Sequence, residues 1–389
     1  MTSPHAAGRH PSAATCFFIA LAAITLPFAG LYAYISSKIE AFDGTLTRIG
    51  GFLEKNYGWN GTQYKFASVG CRYAKEPDEY DTYYDIVVIG DSFSQNQDNG
   101  FPEFLANHSN ASVIVFDFRY TNLNQILNSE TFRKSPPKAL VFEADESVLT
   151  DRQKFSALEQ ALEQVEPFKE AEQPANRGPT QSNPSGSPML PFARETHVSL
   201  LDRLDMTSDY IFKAAVRSLL GGGALDRVVD VRIDCAHCFS NSLHGHYLDW
   251  GATFRPIMSQ AERLTEVKTF AETLKRTVEE NQQTTVFLLF FPMKSTAYGP
   301  FIEDHYYTLL DDRSLYMPET GIVDVISTLR QAVRLGKTDV YMPNDHHTGV
   351  AGNQAAYSAL IERLHAAGLV EAVSKLPSSP SNTASSTGR

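Results

Sequence analysis

Basic residues are scarce in this sequence. Its 34 lysines and arginines are outnumbered by 45 aspartates and glutamates, which gives a formal net charge of -11 at pH 7. Proteins that bind nucleic acids irrespective of sequence present a basic patch to the phosphate backbone, and the sequence has no basic cluster. Generic nucleic-acid binding is therefore not expected.

Cysteine is also rare, with 4 residues in 389. Cys16 lies in an apolar run near the amino terminus, and Cys71, Cys235 and Cys238 follow it. Cys235 and Cys238 have C-x-x-C spacing, but no histidine follows directly, which excludes c-type haem attachment, and no second C-x-x-C completes a zinc ribbon. Local structural cysteines, a bridge to Cys71, and a redox or metal role of the pair remain open.

Two stretches lack the apolar residues that folding requires. Residues 170–191 carry prolines among Gly, Ser, Asn and Gln, and this composition predicts a disordered insertion. Residues 374–389 are rich in Ser, Pro and Thr and are predicted to form a disordered tail. Over the whole chain, 42% of the residues are hydrophobic, which excludes a wholly disordered or collagenous protein and predicts a folded domain over residues 38–373.

The longest apolar run without a charge covers residues 13–35. At about 1.5 Å per residue, a helix of this length crosses a bilayer core. Cleaved signal peptides have shorter apolar runs, so we predict an uncleaved signal anchor, with residues 1–12 in the cytoplasm. Arg9 precedes the span and Glu40 follows it, which favours a single-pass protein of the inner membrane whose domain faces the periplasm.

Short apolar runs alternate with segments of helical character in the first half of the domain. Residues 85–89, 112–118 and 139–142 read as buried strands, and residues 101–107 and 123–132 read as helices between them. This order predicts a doubly wound α/β fold with a mainly parallel sheet.

The second half of the domain continues the same alternation. A capping box of Ser259 and Glu262 predicts a long amphipathic helix, which is followed by a buried strand over residues 284–291. We further predict helices over residues 155–165, 322–333 and 351–367 and a strand-like segment over residues 339–342.

A serine follows the first predicted strand of the sheet. Gly90 permits a sharp turn there, and Ser92 comes two residues later, at the edge where α/β sheets place their ligand sites. A serine at such a position can also offer its own backbone N–H to an oxyanion. The alternative is an ordinary turn in which Asp91 or Ser92 caps a helix.

The other members of a catalytic triad lie near the carboxyl terminus. Asp345 precedes His347 by two residues on a predicted loop, a spacing at which the carboxylate can orient the imidazole as a base for Ser92. His346 is the second candidate for the base. The alternative interpretation is a pair of solvated histidines with Asp345 as a helix cap.

These residues amount to a family resemblance. Gly90-Asp91-Ser92-Phe93, followed late in the chain by Asp345-x-His347, resembles the SGNH-hydrolase superfamily, and more specifically its alginate O-acetyltransferase (AlgJ/AlgX-like) branch. At the position after the histidine, this chain has Thr348 where that branch usually has an aromatic residue. Other stretches that resemble the branch are residues 47–60, 137–143 and 290–298.

The resemblance implies a fold, an activity and partners. The fold would be the three-layer α/β/α SGNH type, without a cofactor or a metal. The enzyme would move an acetyl group through an acyl-serine on Ser92 to a hydroxyl of an exopolysaccharide, with the acetyl group supplied across the membrane by a membrane-bound O-acyltransferase. Arg119 and Asn122, which follow the second strand, are candidates for the oxyanion hole and substrate binding, together with Gly90.

Two rival functions share these residues. A carbohydrate esterase would use the same triad with water as the acceptor, and a catalytically silent component of a polysaccharide-modifying complex would leave Ser92 unreactive. A metal site built from His244 and His246 with Asp345 or Cys235 is a more distant alternative, because His-x-His on a loop is common.

Overall fold

The computed structural model describes residues 12–37, 45–52, 54–168, 187–192, 200–220, 228–250, 260–302 and 309–371. The strands are β1 (Gln63–Phe66), β2 (Arg72–Ala74), β3 (Ile86–Gly90), β4 (Val113–Asp117), β5 (Ala139–Asp145), β6 (Met189–Phe192), β7 (Val228–Arg232), β8 (His246–Trp250), β9 (Thr285–Phe291) and β10 (Ile322–Val323). The α-helices are α1 (Ala13–Ser36), α2 (Thr45–Gly50), α3 (Glu54–Tyr57), α4 (Phe101–His108), α5 (Leu123–Leu127), α6 (Glu130–Lys134), α7 (Glu146–Thr150), α8 (Arg152–Glu163), α9 (Leu200–Leu220), α10 (Gln260–Glu279), α11 (Lys294–Tyr298), α12 (Val325–Arg334) and α13 (Val350–Ala366).

The main sheet has six strands in the order β10-β9-β5-β3-β4-β2. Every neighbouring pair in it is parallel. The central strands are uniformly apolar because parallel sheets are covered on both faces. Since all strands point the same way, the residues that follow them meet at a single edge of the sheet.

Helices cover both faces of the sheet. Along β3, Val88 packs in one hydrophobic cluster with α4, α12 and α13, whereas its neighbours Val87 and Ile89 pack in a second cluster with α5, α8 and α10. Successive side chains of a strand point to opposite faces, so each strand contributes to both clusters. The predicted three-layer α/β/α fold with a mainly parallel sheet is confirmed.

Three predicted elements differ from the structure. The helix predicted over residues 123–132 is divided into α5 and α6, because Ser129 caps a new helix by accepting from the Phe132 N–H. Residues 322–323 form β10 instead of a helix, and α12 begins only after the cap Asp324. Residues 339–342 do not form a strand, although Tyr341 makes an isolated bridge to Thr348.

Two antiparallel pairs lie outside the main sheet. β7 pairs with β8, and β1 pairs with β6, with Tyr64 opposite Pro191. A disordered insertion is predicted over residues 170–191, but its last residues, 189–191, belong to β6. Pairing with β1 orders this end of the segment. Residues 169–186 and 372–389 lie outside the described residues, as does the predicted cap Ser259.

The cysteines separate into one bridge and two free thiols. Cys235 and Cys238 form a disulfide, and Cys71 is buried and free, so the alternative of a bridge to Cys71 is wrong. The disulfide-bonded loop packs against the turn that precedes the Asp345 loop, since the Asp339 N–H donates to the Cys238 carbonyl at 2.9 Å. The disulfide-bonded loop is therefore hydrogen-bonded to the segment that leads into the Asp345 loop.

Among the described residues, α1 alone is long and apolar enough to cross a membrane. No residue of α1 is buried, and it touches the domain near its end, where the Tyr32 hydroxyl donates to the Leu204 carbonyl of α9 at 2.6 Å. The helix agrees with single-pass anchoring, while a signal sequence would satisfy the same criteria of length and composition.

We predict that removal of residues 1–37 leaves a soluble domain that unfolds cooperatively, because α1 contributes no side chain to any of the three hydrophobic clusters of the described residues. Circular dichroism during heating and size-exclusion chromatography would check this. Aggregation of the truncated protein without detergent would show that α1 covers part of the domain.

Candidate active site

Ser92 lies just beyond the carboxyl end of β3, at the sheet edge where the sequence predicted it. The turn that carries it is tight, because a Cβ atom on Gly90 would lie 2.6 Å from Ser94 Oγ and still closer to the Glu143 carboxyl. Gly90 is therefore required for close packing at this point. Its role as an oxyanion or binding residue remains a prediction.

Buried carboxyl groups hold the turn in place. The Asp91 N–H donates to Glu143 Oε2 at 3.0 Å, which links the end of β3 to β5. Asp91 in turn accepts from the Phe93 N–H at 2.9 Å and from the Asp145 N–H at 2.8 Å. Backbone groups on both sides of Ser92 are thus hydrogen-bonded to buried side chains, which fixes the backbone of the turn that carries the serine.

Burial shifts the ionisation of both carboxyl groups. Burial, followed by the proximity of Asp145, raises the pKa of Asp91 to about 7. Burial and the nearby Asp91 also raise the pKa of Glu143 well above its usual range. A raised pKa favours the neutral form of Glu143, which adds no second negative charge next to Asp91.

The Asp345 loop is a closed turn between residues 341 and 348. Two backbone hydrogen bonds hold it. Within the loop, the Met342 N–H donates to the His347 carbonyl at 3.0 Å, and the Leu46 N–H donates to the Asn344 carbonyl at 3.1 Å. The Thr348 hydroxyl donates to Asn353 Oδ1 in α13 at 2.7 Å. Thr348 therefore anchors the loop where an aromatic residue stands in the resembling branch.

Lys294 supports this loop from beneath. The side chain is buried, and its Nζ donates to the carbonyl oxygens of Met342 at 3.0 Å and Pro343 at 3.5 Å. Nζ also lies 5.1 Å from the centre of the Tyr247 ring. Burial lowers the pKa of Lys294 to about 8, while the neighbouring Asp249 opposes this shift.

The loop brings a carboxylate and two imidazoles together. Asp345 Oδ1 lies 2.6 Å from His347 Nδ1 and also accepts from the His347 N–H at 3.0 Å. His346 Nδ1 is farther away, at 3.5 Å from the same oxygen. Burial, together with the adjacent His347, lowers the pKa of His346 to about 4, so this ring is neutral near pH 7.

His347 is placed to act on a neighbour through its other nitrogen. Its Nε2 is buried and has no hydrogen-bond partner among the described residues. The ring centre lies 4.9 Å from that of Phe93, the residue after Ser92, and His347 also influences the ionisation of Asp91, the residue before it. The structure therefore brings His347 and the Ser92 turn together; the catalytic roles remain predictions.

A large cavity of about 880 Å³ opens at this sheet edge. Ser92, Arg119, Asn122 and His346 all line it, whereas His347, whose ring centre lies 3.9 Å from that of His346, is not among the lining residues. The Arg119 Nε and Nη2 atoms donate to the Asp117 carboxylate, and Asn122 caps α5. Arg119 and Asn122 thus reach the cavity, and each already makes structural contacts, whereas the third candidate, Gly90, is not among the lining residues.

Sequence reasoning missed four residues at the site. Trp250 and Asp249 line the cavity from the end of β8, a strand that the sequence did not predict. Glu143 and Lys294 lie in stretches that only the family resemblance singled out, and nothing local in the sequence marks them as supports of the two motifs. Their spatial relation to Ser92 and Asp345 depends on strand pairing across the sheet.

Two clusters bring three metal-ligating atoms within 4.8 Å of one another among the described residues. In the first, Cys235 and Cys238 are joined in a disulfide, which removes their thiolates as ligands. The second is Asp345 with His346 and His347, the candidate triad itself. His244 belongs to neither cluster, and His246 Nδ1 instead lies 3.2 Å from Asp230.

Comparison with known proteins gives one match. The family model described as the SGNH hydrolase-like domain of the acetyltransferase AlgX matches residues 66–146. The predicted resemblance is thereby confirmed for this segment, which contains Ser92 and ends well before Asp345. No curated protein and no solved structure matches the chain.

We predict that Glu143→Gln reduces the pH dependence of folding stability. A carboxyl group whose pKa is higher in the folded than in the unfolded state binds an extra proton when folded, so wild-type stability falls as pH rises above about 4.5. Glutamine mimics the protonated form and still accepts from the Asp91 N–H. Above about pH 4.5, the free energy of unfolding should therefore fall less steeply in the variant than in the wild type, by at most about 1.4 kcal/mol per pH unit.

Urea unfolding at several pH values measures this effect. Glu362→Gln, which removes an exposed carboxylate from α13, is the matched control and should follow the wild-type curve. Parallel curves for the wild type and Glu143→Gln would show that Glu143 is ionised in the folded protein.

Proposed function

We propose that this chain is a membrane-anchored, periplasmic O-acetyltransferase that moves an acetyl group through Ser92 to hydroxyls of an exopolysaccharide. The observation that carries the proposal is the 2.6 Å hydrogen bond between Asp345 and His347 on a loop next to the Ser92 turn. The match to the SGNH hydrolase-like domain of AlgX supports acyl transfer or ester cleavage as the type of reaction. Transfer to a polysaccharide, the anchor and its orientation are further parts of the proposal.

In the proposed mechanism, Ser92 Oγ attacks the carbonyl carbon of the donor ester. His347 Nε2 takes the serine proton and returns it to the leaving alcohol, and Asp345 holds His347 Nδ1–H and stabilises the imidazolium. A sugar hydroxyl, deprotonated by His347, then attacks the acyl-serine, which releases Ser92. The Ser92 N–H, with Arg119 or Asn122, would stabilise the tetrahedral oxyanion.

The partners follow from the same chemistry. The acceptor would be a polysaccharide, and Trp250 at the cavity offers a ring on which a sugar could stack. The acetyl group would come from a membrane-bound O-acyltransferase beside α1. The mechanism requires neither a metal nor a cofactor, so a chelator should not affect the rate.

We predict that Ser92→Ala and His347→Ala each lower the rate of chromogenic acetyl-ester cleavage by at least about a thousandfold, because triad members act as a unit. His346→Ala should cost less than about tenfold, since its ring is farther from Asp345 and neutral. Initial rates with and without EDTA, together with circular dichroism of each variant, measure this. An inactive His346→Ala beside an active His347→Ala would reassign the base.

Transfer and hydrolysis are distinguished by the fate of the acetyl group. With an added oligosaccharide, a transferase yields acetylated sugar in preference to free acetate, and mass spectrometry measures both products. If free acetate is the only product with every oligosaccharide tested, the chain is an esterase. If folded wild-type protein does not react with any ester, it is a silent component of a complex.

A further inference from the structure

Exposed apolar side chains are concentrated on α9. Outside α1, the described residues expose eight large apolar side chains, and three of these, Leu204, Phe212 and Leu219, belong to α9. Phe212 is 66% exposed and Leu219 is 82% exposed, and no two of the other five share a helix or a strand. Single exposed apolar residues are ordinary on a protein surface, whereas several on one helix are typical of a surface that contacts a partner or a membrane.

The three side chains lie on one face of α9. Ser208 fills the step between Leu204 and Phe212, and Ala215 fills the step between Phe212 and Leu219, so that five exposed residues follow one another at intervals of three or four. Positions at these intervals share one side of a helix. We call these five residues the α9 stripe; it extends over roughly 22 Å along the helix.

Another side of α9 packs on the domain. Thr207 is buried, and a Cβ atom on Gly51 would lie only 2.7 Å from Lys213 Cβ, so α9 lies against the turn that follows α2. Asp209 forms an ion pair with Lys213. Of the charged side chains described in α9, this leaves Asp205, which is exposed and comes directly after Leu204. The five residues of the α9 stripe carry no charge themselves.

α1 indicates which surroundings the α9 stripe meets. The Tyr32 hydroxyl donates to the Leu204 carbonyl and also lies 3.2 Å from Ser208 Oγ, at the amino-terminal end of the stripe. Tyr32 precedes Ser36, the last residue of α1, by about one turn, or roughly 6 Å. When α1 spans a bilayer, this last turn lies at the membrane–water interface, where tyrosine is enriched. The α9 stripe therefore begins at the level of the membrane surface.

We infer that the α9 stripe contacts lipid at the surface of the membrane that α1 spans, with Phe212 and Leu219 at the boundary between headgroups and acyl chains. The inference rests on the proposed function in taking α1 as an uncleaved anchor. Interfacial amphipathic helices bury their apolar face by about 5–10 Å. Because the stripe is uncharged, this contact does not require anionic lipids. A second contact beside the span fixes which side of the domain faces the membrane.

Quenching of tryptophan fluorescence by brominated lipids tests this contact in the full-length protein. Phe212→Trp and Leu219→Trp each add one tryptophan to the two of the wild type, which supplies the baseline. In vesicles of phosphatidylcholine brominated on its acyl chains, the added fluorescence should fall by at least about half relative to unbrominated vesicles. Leu335→Trp is the matched control, because Leu335 is 69% exposed but caps α12, and its added fluorescence should change by less than about a tenth.

The salt dependence tests the apolar nature of the contact. Quenching should stay unchanged between about 0.05 and 0.5 M NaCl, because screening weakens attraction between charges and leaves apolar burial intact. Quenching that is lost in salt would overturn apolar insertion. Circular dichroism of each variant checks that the domain is folded.

Flotation with the vesicles separates this inference from the proposed function. Wild-type protein that does not float with the vesicles would refute the anchor and the α9 contact together. Floating protein whose tryptophans at positions 212 and 219 are not quenched would overturn the α9 contact alone, and it would leave the stripe as a surface for a protein partner. Equal quenching in Leu335→Trp would also overturn the inference, because the contact would then not be specific to α9.

Discussion

The position of Ser92 depends on the close approach of Gly90 to the Glu143 carboxyl at the ends of two neighbouring parallel strands. Any side chain at Gly90 would collide with Glu143 and Ser94, and the Asp91 N–H uses the Glu143 oxygen as its acceptor. The Ser92 turn is therefore fixed by contacts between the neighbouring strands β3 and β5. Because every residue of β3 is buried, as is every residue of β5 except Asp145, the serine follows one of the most tightly packed parts of the domain.

His347 is positioned by hydrogen bonds to the loop that carries it, and not by a strand of the sheet. The 342–348 loop carries no regular structure, yet Lys294 donates to two of its carbonyl groups, and the N–H groups of Leu46 and Leu248 each donate to one. A buried lysine is costly unless its donors are satisfied, and here they bond the loop that carries Asp345. Two independently supported parts thus meet at the sheet edge, which preorganises the candidate site.

The sequence predicted those features whose cause is local. β3, β4, β5 and β9 were found because buried parallel strands are continuous apolar runs, and Ser92 because a glycine turn follows such a run. Asp345 and His347 were paired correctly in space because two residues suffice for the carboxylate to reach the ring. Helix α13 was placed to within one residue at each end.

The features that were missed depend on tertiary contacts. Periodicity alone cannot tell the two-residue strand β10 from the start of α12, since Ile322 and Val325 are both apolar and buried. β8, which carries Trp250 to the cavity, is a strand only because β7 pairs with it. Nothing in the local sequence distinguishes Glu143 from other acidic residues, because only the pairing of β3 with β5 brings it next to Gly90.

The central claim is that Ser92 forms a covalent acyl-enzyme. Mass spectrometry of the protein after brief exposure to an activated acetyl ester tests this directly. The account predicts a mass increase of one acetyl group, located on the peptide that contains Ser92, in the wild type and not in Ser92→Ala. An acetyl group found equally in Ser92→Ala, or on no peptide of a folded wild type that turns over the ester, would contradict it.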